Sequence, residues 1–333
     1  MATSLAEIRA KLQAQETRSS GGQSQGDNAI YAHWNIPEGT SAKIRFLPDA
    51  NAKNDFFWVE RLMIKLPFAG IKGQSDSKPV IVQVPCVEMY GEACPILAEV
   101  RTWFKDPGLE EMGRKYWKKK SYLFQGFVKD NPLSDDKTPD NPIRRFVISP
   151  QIFNLIKAAL MDPELESMPT DYTAGLDFTV SKTQKGGYAD YSTSKWSRKE
   201  TAITAQEQAA IDAHGLFNLA DFLPKKPGDV ELKVLKEMFE ASVDGQAYDP
   251  DRWSQYYKPS GFQSKGGDDN TGGSSTAKSS PAAAPAPAAP AQSSAPFDTD
   301  EDDDTPVATA PVAAKPSSQK AEDILAMIRN RSK

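Results

Sequence analysis

The chain has 333 residues with only two cysteines, and no apolar run reaches the eighteen or so residues of a membrane-spanning helix. Two thiols exclude a disulfide framework, and a start with neither an apolar signal core nor an Arg-rich transit composition points to a soluble protein in a reducing, cytosolic compartment without membrane partners. The formal charge of −5 argues against a uniformly basic nucleic-acid binder, but it averages over unlike segments, and local charge is what meets phosphate.

In chain order, residues 1–30 open with a short helix: Ser4 and Glu7 have capping-box spacing, and Leu5, Ile8 and Leu12 share a face ahead of a Gly/Ser/Gln linker. Strands are predicted at 42–48, 56–65, 79–85, 121–129, 144–149 and 175–181, most of them carrying aromatics. Between them Ser149 and Pro150 cap and start a helix that buries Ile152, Ile156, Ala159 and Leu160 and stops at Asp162-Pro163. From about 204 the pattern turns helical, with a capping box at Thr204 and Glu207, then an amphipathic stretch over 229–241 that turns Val230, Val234, Leu235, Met238 and Phe239 inward. Residues 31–262 therefore read as a mixed α+β, mainly β core with a helical flap. Beyond 262 the composition falls to Gly, Ser, Ala, Pro and Thr and then to an acidic cluster at 298–304, so 263–317 is expected to be a disordered acidic linker. Ile324, Leu325 and Ile328 share a face, which makes 318–333 a short interaction helix on a long tether.

Two basic islands stand out. Residues 101–129 hold eight Lys/Arg against three Asp/Glu, and 181–199 hold five against one. Binding a single strand without sequence preference needs cations along the phosphates and flat side chains on which bases stack. The first island threads Tyr116, Trp117 and Tyr122 with Arg101, Lys105, Arg114, Lys115, Lys118, Lys119, Lys120 and Lys129; the second sets Tyr188, Tyr191 and Trp196 among Lys182, Lys185, Lys195, Arg198 and Lys199. Gly186-Gly187 lets the second turn tightly, and Arg144 and Arg145 add planar cations. Strand aromatics are usually core, and Phe124, Phe146 and Trp103 are assigned there.

Enzyme chemistry finds little to work with. The only histidines are His33 and His214, and Gly-x-Ser-x-Gly, Walker and Gly-x-Gly-x-x-Gly patterns are missing, so a non-catalytic protein is expected. His33 reads as a surface or packing residue, His214 as the end of a helix, and Asp135-Asp136 as a solvated turn.

Three segments in order resemble the single-stranded-DNA-binding, helix-destabilising proteins of T-even-like bacteriophages: Ile44-Arg45-Phe46-Leu47-Pro48; Lys118-Lys119-Lys120-Ser121-Tyr122 followed by Val128-Lys129-Asp130; and Tyr191-Ser192-Thr193-Ser194-Lys195 ahead of Thr201-Ala202-Ile203. The resemblance covers about residues 40–205. It implies an OB-fold-type barrel with a small attached subdomain, self-association along DNA through the N-terminal segment, and an acidic C-terminal region that recruits replication and recombination proteins. Self-association would fall to Leu5, Ile8, Arg9, Lys11 and Leu12. Carried over by position, Tyr116, Lys118, Lys119, Lys120, Tyr122, Arg145, Tyr188 and Tyr191 match the family's cleft, with Arg45 beside them; Arg45 could equally pair with a carboxylate at the core's edge. The family's zinc site takes one His and three Cys. This chain offers Cys86 and Cys94, has Leu97 where a further Cys would fall, and has no His between Pro48 and Cys86, so no metal or other cofactor is expected. The implied activity is coating of single-stranded DNA in phage replication, recombination and repair, in the cytoplasm of an infected bacterium. An RNA-binding translational regulator, a scaffold that binds only proteins and, more distantly, a zinc nuclease are the alternatives.

Overall fold

Alternation of apolar and polar side chains at period two gives this chain its strands, and the computed structural model describes them within residues 29–259 other than 75, 135 and 137. They are β1 (Ser41–Leu47), β2 (Val59–Phe68), β3 (Val80–Pro85), β4 (Lys119–Asp130), β5 (Arg144–Ile148), β6 (Asp177–Ser181), β7 (Thr183–Lys185), β8 (Tyr188–Asp190) and β9 (Lys195–Trp196). Among the described residues six α-helices accompany them: α1 (Pro95–Trp103), α2 (Glu110–Tyr116), α3 (Pro150–Leu160), α4 (Ala205–His214), α5 (Asp229–Val243) and α6 (Pro250–Trp253). The architecture is mixed, with a mainly antiparallel sheet at its centre.

The sheet runs β3-β2-β4-β1-β6-β9, with β5 also on β4, while β7 and β8 form a separate hairpin. Tyr122 and Leu123 pair with both β2 and β5, and Gln125 and Gly126 pair with both β1 and β5. Hence β5 holds one edge of β4, and β1 and β2 follow each other along the other, parted by an excursion at 48–58. Gly126 permits this crowding, since a Cβ there would lie 2.1 Å from the Arg45 carbonyl oxygen. The sheet does not close into a barrel: β3 and β9 remain its ends.

Each face of the sheet buries a different set. Ile44, Phe46, Tyr122, Phe124, Phe146 and Phe178 pack under α3 through Ile152, Phe153 and Ile156. Leu47, Phe127 and Ile143 meet Ala210 and Ile211 of α4 and Leu216 and Phe217 after it. A further cluster joins the far half of β2 and β3 to α1, α2 and α5 through Leu66, Val84, Leu97, Trp103 and Phe239. Each fully buried large apolar side chain contributes roughly 1.5 to 3 kcal/mol.

The predicted strands at 42–48, 79–85, 121–129, 144–149 and 175–181 appear almost in place, as do the Ser149 cap and the Thr204–Glu207 capping box. Four details differ. Residues 56–58 precede β2 rather than belong to it; α1 and α2 occupy a stretch read only for its aromatics and charge; β7, β8 and β9 fall where no strand was predicted; and Val230 points to solvent.

Candidate nucleic-acid interface

Five of the side chains expected to grip DNA lie inside the protein. Arg45 has no exposed surface: Nε donates to Asp177 Oδ1 at 2.8 Å, Nη1 to the Thr201 carbonyl at 2.9 Å, and Nη2 to the Gly175 carbonyl at 3.2 Å and to Thr201 Oγ1. Of the two readings of this arginine, the carboxylate pair is the one the fold adopts. Arg144 sends both terminal nitrogens to Asp136 at 2.9 Å each and lies over the Tyr31 ring, and the guanidinium holds the Asp136 carboxyl below the usual carboxylate range. Tyr116 is buried with its hydroxyl 3.1 Å from Ser242 Oγ, and Tyr122 is buried face to face with Phe153 at 3.5 Å between centroids. Tyr191 packs edge-on against His33, and burial pushes its hydroxyl up to about 12. Desolvated groups with internal partners are not presented to a strand.

The rest of the first island is largely paired internally. Glu88 receives Lys118 at 3.1 Å and also Arg101, Arg114 binds Glu110 one helical turn away at 2.7 Å, Lys120 faces Glu60 at 4.0 Å, and Lys129 reaches Glu207 at 3.3 Å. Arg145 is half-buried, with its guanidinium 3.8 Å from the Phe222 ring centre. Lys119 is half-buried on β4, and Lys115 is exposed beside the Tyr116 ring. The cause is local: α1 and α2 turn Trp103, Tyr116, Ile96 and Leu97 inward and put Arg101, Arg114 and Lys115 toward the outside.

The second island is open at its hairpin tip and at β9, although Lys182 is half-buried with Nζ donating to the Trp34 carbonyl at 2.7 Å. Lys185 and Tyr188 face each other across a two-residue turn in which Gly186 and Gly187 have φ of 61° and 88°, the left-handed pair a tight hairpin needs. Tyr188, at the tip, is 66% exposed. The base of the hairpin is pinned by Asp190, which accepts from Ser192 Oγ at 2.7 Å, Ser192 N at 3.1 Å and Gln151 Nε2 at 2.8 Å. Gln151 in turn accepts from Tyr191 N at 3.0 Å, tying the hairpin to α3. Beyond it, β9 ends the sheet, with Lys195, Arg198 and Lys199 exposed along its course. Trp196 there is half-buried on Phe178 and Phe46. Among the described residues Lys185, Lys195, Arg198 and Lys199 make no ion pair.

Two aromatics were missed. Phe56, 58% exposed, and half-buried Trp58 lie at the end of the 48–58 excursion with ring centres 4.7 Å apart. Their sequence looked like the start of a strand, and only the break between β1 and β2 lifts them out.

Cys86 and Cys94 are buried, with their thiols hydrogen-bonded to each other; that bond and helix-end amides draw the Cys94 thiol down, while the same bond and burial push Cys86 up. Val87, Ile96 and Leu97 pack around them, with Met89 against the same cluster. Two thiols do not make the four-ligand set of a structural zinc, and among the described residues no group of three His, Cys, Asp or Glu side chains is gathered. His33 is fully buried, and His214 ends α4. The self-association residues Leu5, Ile8, Arg9, Lys11 and Leu12, the acidic linker and the segment 318–333 lie outside the described residues. No helix among the described residues is long and apolar enough to cross a membrane. The chain matches no protein-family model and no curated protein.

Proposed function

We propose that the chain binds and coats single-stranded DNA without catalysis and with little regard to sequence. The observation that carries this reading is the exposed Tyr188 on a pinned hairpin, with exposed Lys185 facing it across the turn and three more exposed cations, Lys195, Arg198 and Lys199, following at the open β9 edge, none of the four in an ion pair. An aromatic face offers every base the same stacking surface, and cations without internal partners gain most from phosphates through counterion release. The three segments resembling the T-even-like phage proteins support a role in replication, recombination and repair. In that role the N-terminal segment would self-associate along the strand and the C-terminal region would recruit partner proteins. An OB-type barrel, partly open, is the fold this reading favours, and β4, shared by β1, β2 and β5, supports it.

The test is a fluorescence titration of the full chain with oligo(dT), repeated over several salt concentrations, against a duplex of equal length and against the matching RNA. Strong quenching that prefers the DNA single strand and weakens steeply with salt is the expected result. Preference for RNA at matched salt would replace this reading with an RNA-binding regulator. No salt-dependent binding to either would leave a scaffold that binds only proteins.

A further inference from the structure

We infer that Phe56, backed by Trp58, is a second stacking plate for an unpaired nucleobase, separate from the Tyr188 hairpin. The inference rests on the single-strand reading and gives it an additional contact. Because β1 and β2 run consecutively along one edge of β4, the chain between them leaves the sheet and returns, and Phe56-Phe57-Trp58 ends that excursion. Phe57 turns inward, buried 5.6 Å from Phe124. Phe56 and Trp58 form a tilted pair at 33°, and Trp58 in turn stacks on Phe124 at 29° and 5.8 Å. The three rings form a graded stack whose innermost member is core and whose outermost member is open to solvent.

The excursion is held rigid by its own side chains. Asn54 Nδ2 donates to Asp49 Oδ2 at 2.8 Å and to the Trp58 carbonyl at 3.1 Å, and Phe56 N donates to Asn54 Oδ1 at 3.1 Å. Asp49 Oδ1 also accepts from Leu219 N at 3.0 Å, which anchors the excursion to the segment after α4. Phe56 is thus presented by a fixed loop, and its exposure is not the wandering of a free tip.

The surround selects the ligand. Lys53, Asp55 and Glu60 are exposed on this stretch, so charged side chains flank the two rings in sequence, and two rings alone fall far below what a stable protein interface buries. A base requires only a ring. Carboxylates offset cations here, so the contact acts through stacking and adds little to counterion release. That sets it apart from the cations of the β9 edge.

The experiment uses the full chain, a short labelled oligo(dT) that holds one protomer, and the variants Phe56→Ala, Phe56→Leu and Phe56→Tyr, each checked for an unchanged melting temperature. Ala and Leu are expected to weaken binding roughly tenfold at every salt concentration with no change in the slope of affinity against salt, and Tyr to retain it. Binding by the Leu variant equal to the wild type overturns the inference, because an apolar side chain would then suffice. So does a loss seen only on long DNA with altered sedimentation, which would make Phe56 a contact between protomers. If wild type binds and all three variants match it, this assignment alone fails; if wild type does not bind oligo(dT), the single-strand reading fails with it.

Discussion

Arg45 illustrates how one residue type serves opposite ends. In the sequence it is a cation in the most distinctive motif; in the fold it is a sealed ion pair whose every terminal nitrogen is satisfied. Removing it leaves the buried Asp177 with only Lys129 Nζ at 4.0 Å, and breaking such a pair costs up to about 3 to 5 kcal/mol. Arg45→Met is therefore expected to lower the urea midpoint strongly while the folded fraction still binds oligo(dT), and a variant of normal stability that binds poorly would return Arg45 to the interface. His33 carries a pH signature. Burial lowers its value from the ordinary 6.5 to about 4, so between those values the unfolded chain takes up the proton and the folded chain does not. Stability accordingly rises with pH across that window, and acidification removes up to about 3 kcal/mol. Urea unfolding at several pH values should show this component in the wild type and lose it in His33→Leu.

At the scale of elements, legibility followed periodicity. Five strands, the Ser149-capped α3 and the boxed α4 were readable because one pattern or one cap fitted each. Residues 95–116 were not, since aromatics interleaved with cations describe a stacking cleft and an amphipathic helix pair equally well. The tertiary fold decided for the helices, and most of the island's cations went to Glu88, Glu110, Glu60 and Glu207. The two islands consequently differ in their expected response to salt. Each phosphate contact to a single strand adds about 0.7 to the slope of log affinity against log salt, so replacing Lys185, Lys195, Arg198 and Lys199 together by Ala should flatten it by up to about 3. Lys118→Ala, whose charge is already engaged by Glu88, should leave the slope nearly unchanged; the reverse outcome would move the interface to the first island.

Across the whole molecule, the segment from Leu216 to Gly228 ties the clusters together. Phe217 exchanges hydrogen bonds with Gln125 at 2.8 Å, Phe222 lies under Arg145, the Pro224 carbonyl accepts from Tyr90, and Lys226 pairs with Glu92 at 2.5 Å. With β2 of one cluster hydrogen-bonded to β4, which supplies the other two, the described region should unfold as one unit. Hydrogen exchange should find the β4 amides opening only at the global free energy, and early exchange of β4 would show that the clusters separate.

The pairing of β1 with β6 also bears on how the protein is made. Arg45 and Asp177 lie 132 positions apart, so at 5 to 20 residues per second a ribosome needs roughly 7 to 26 s after making the arginine before its carboxylate exists. Throughout that interval β1 has an edge with no partner, in a strand containing Ile44, Phe46 and Leu47, the kind of surface that recruits neighbouring nascent chains. A charge that must stay hydrated until its own counterion arrives makes mispairing there costly. The buried arginine is thus expected to limit mispairing of the strand during synthesis as well as to hold it in the finished fold.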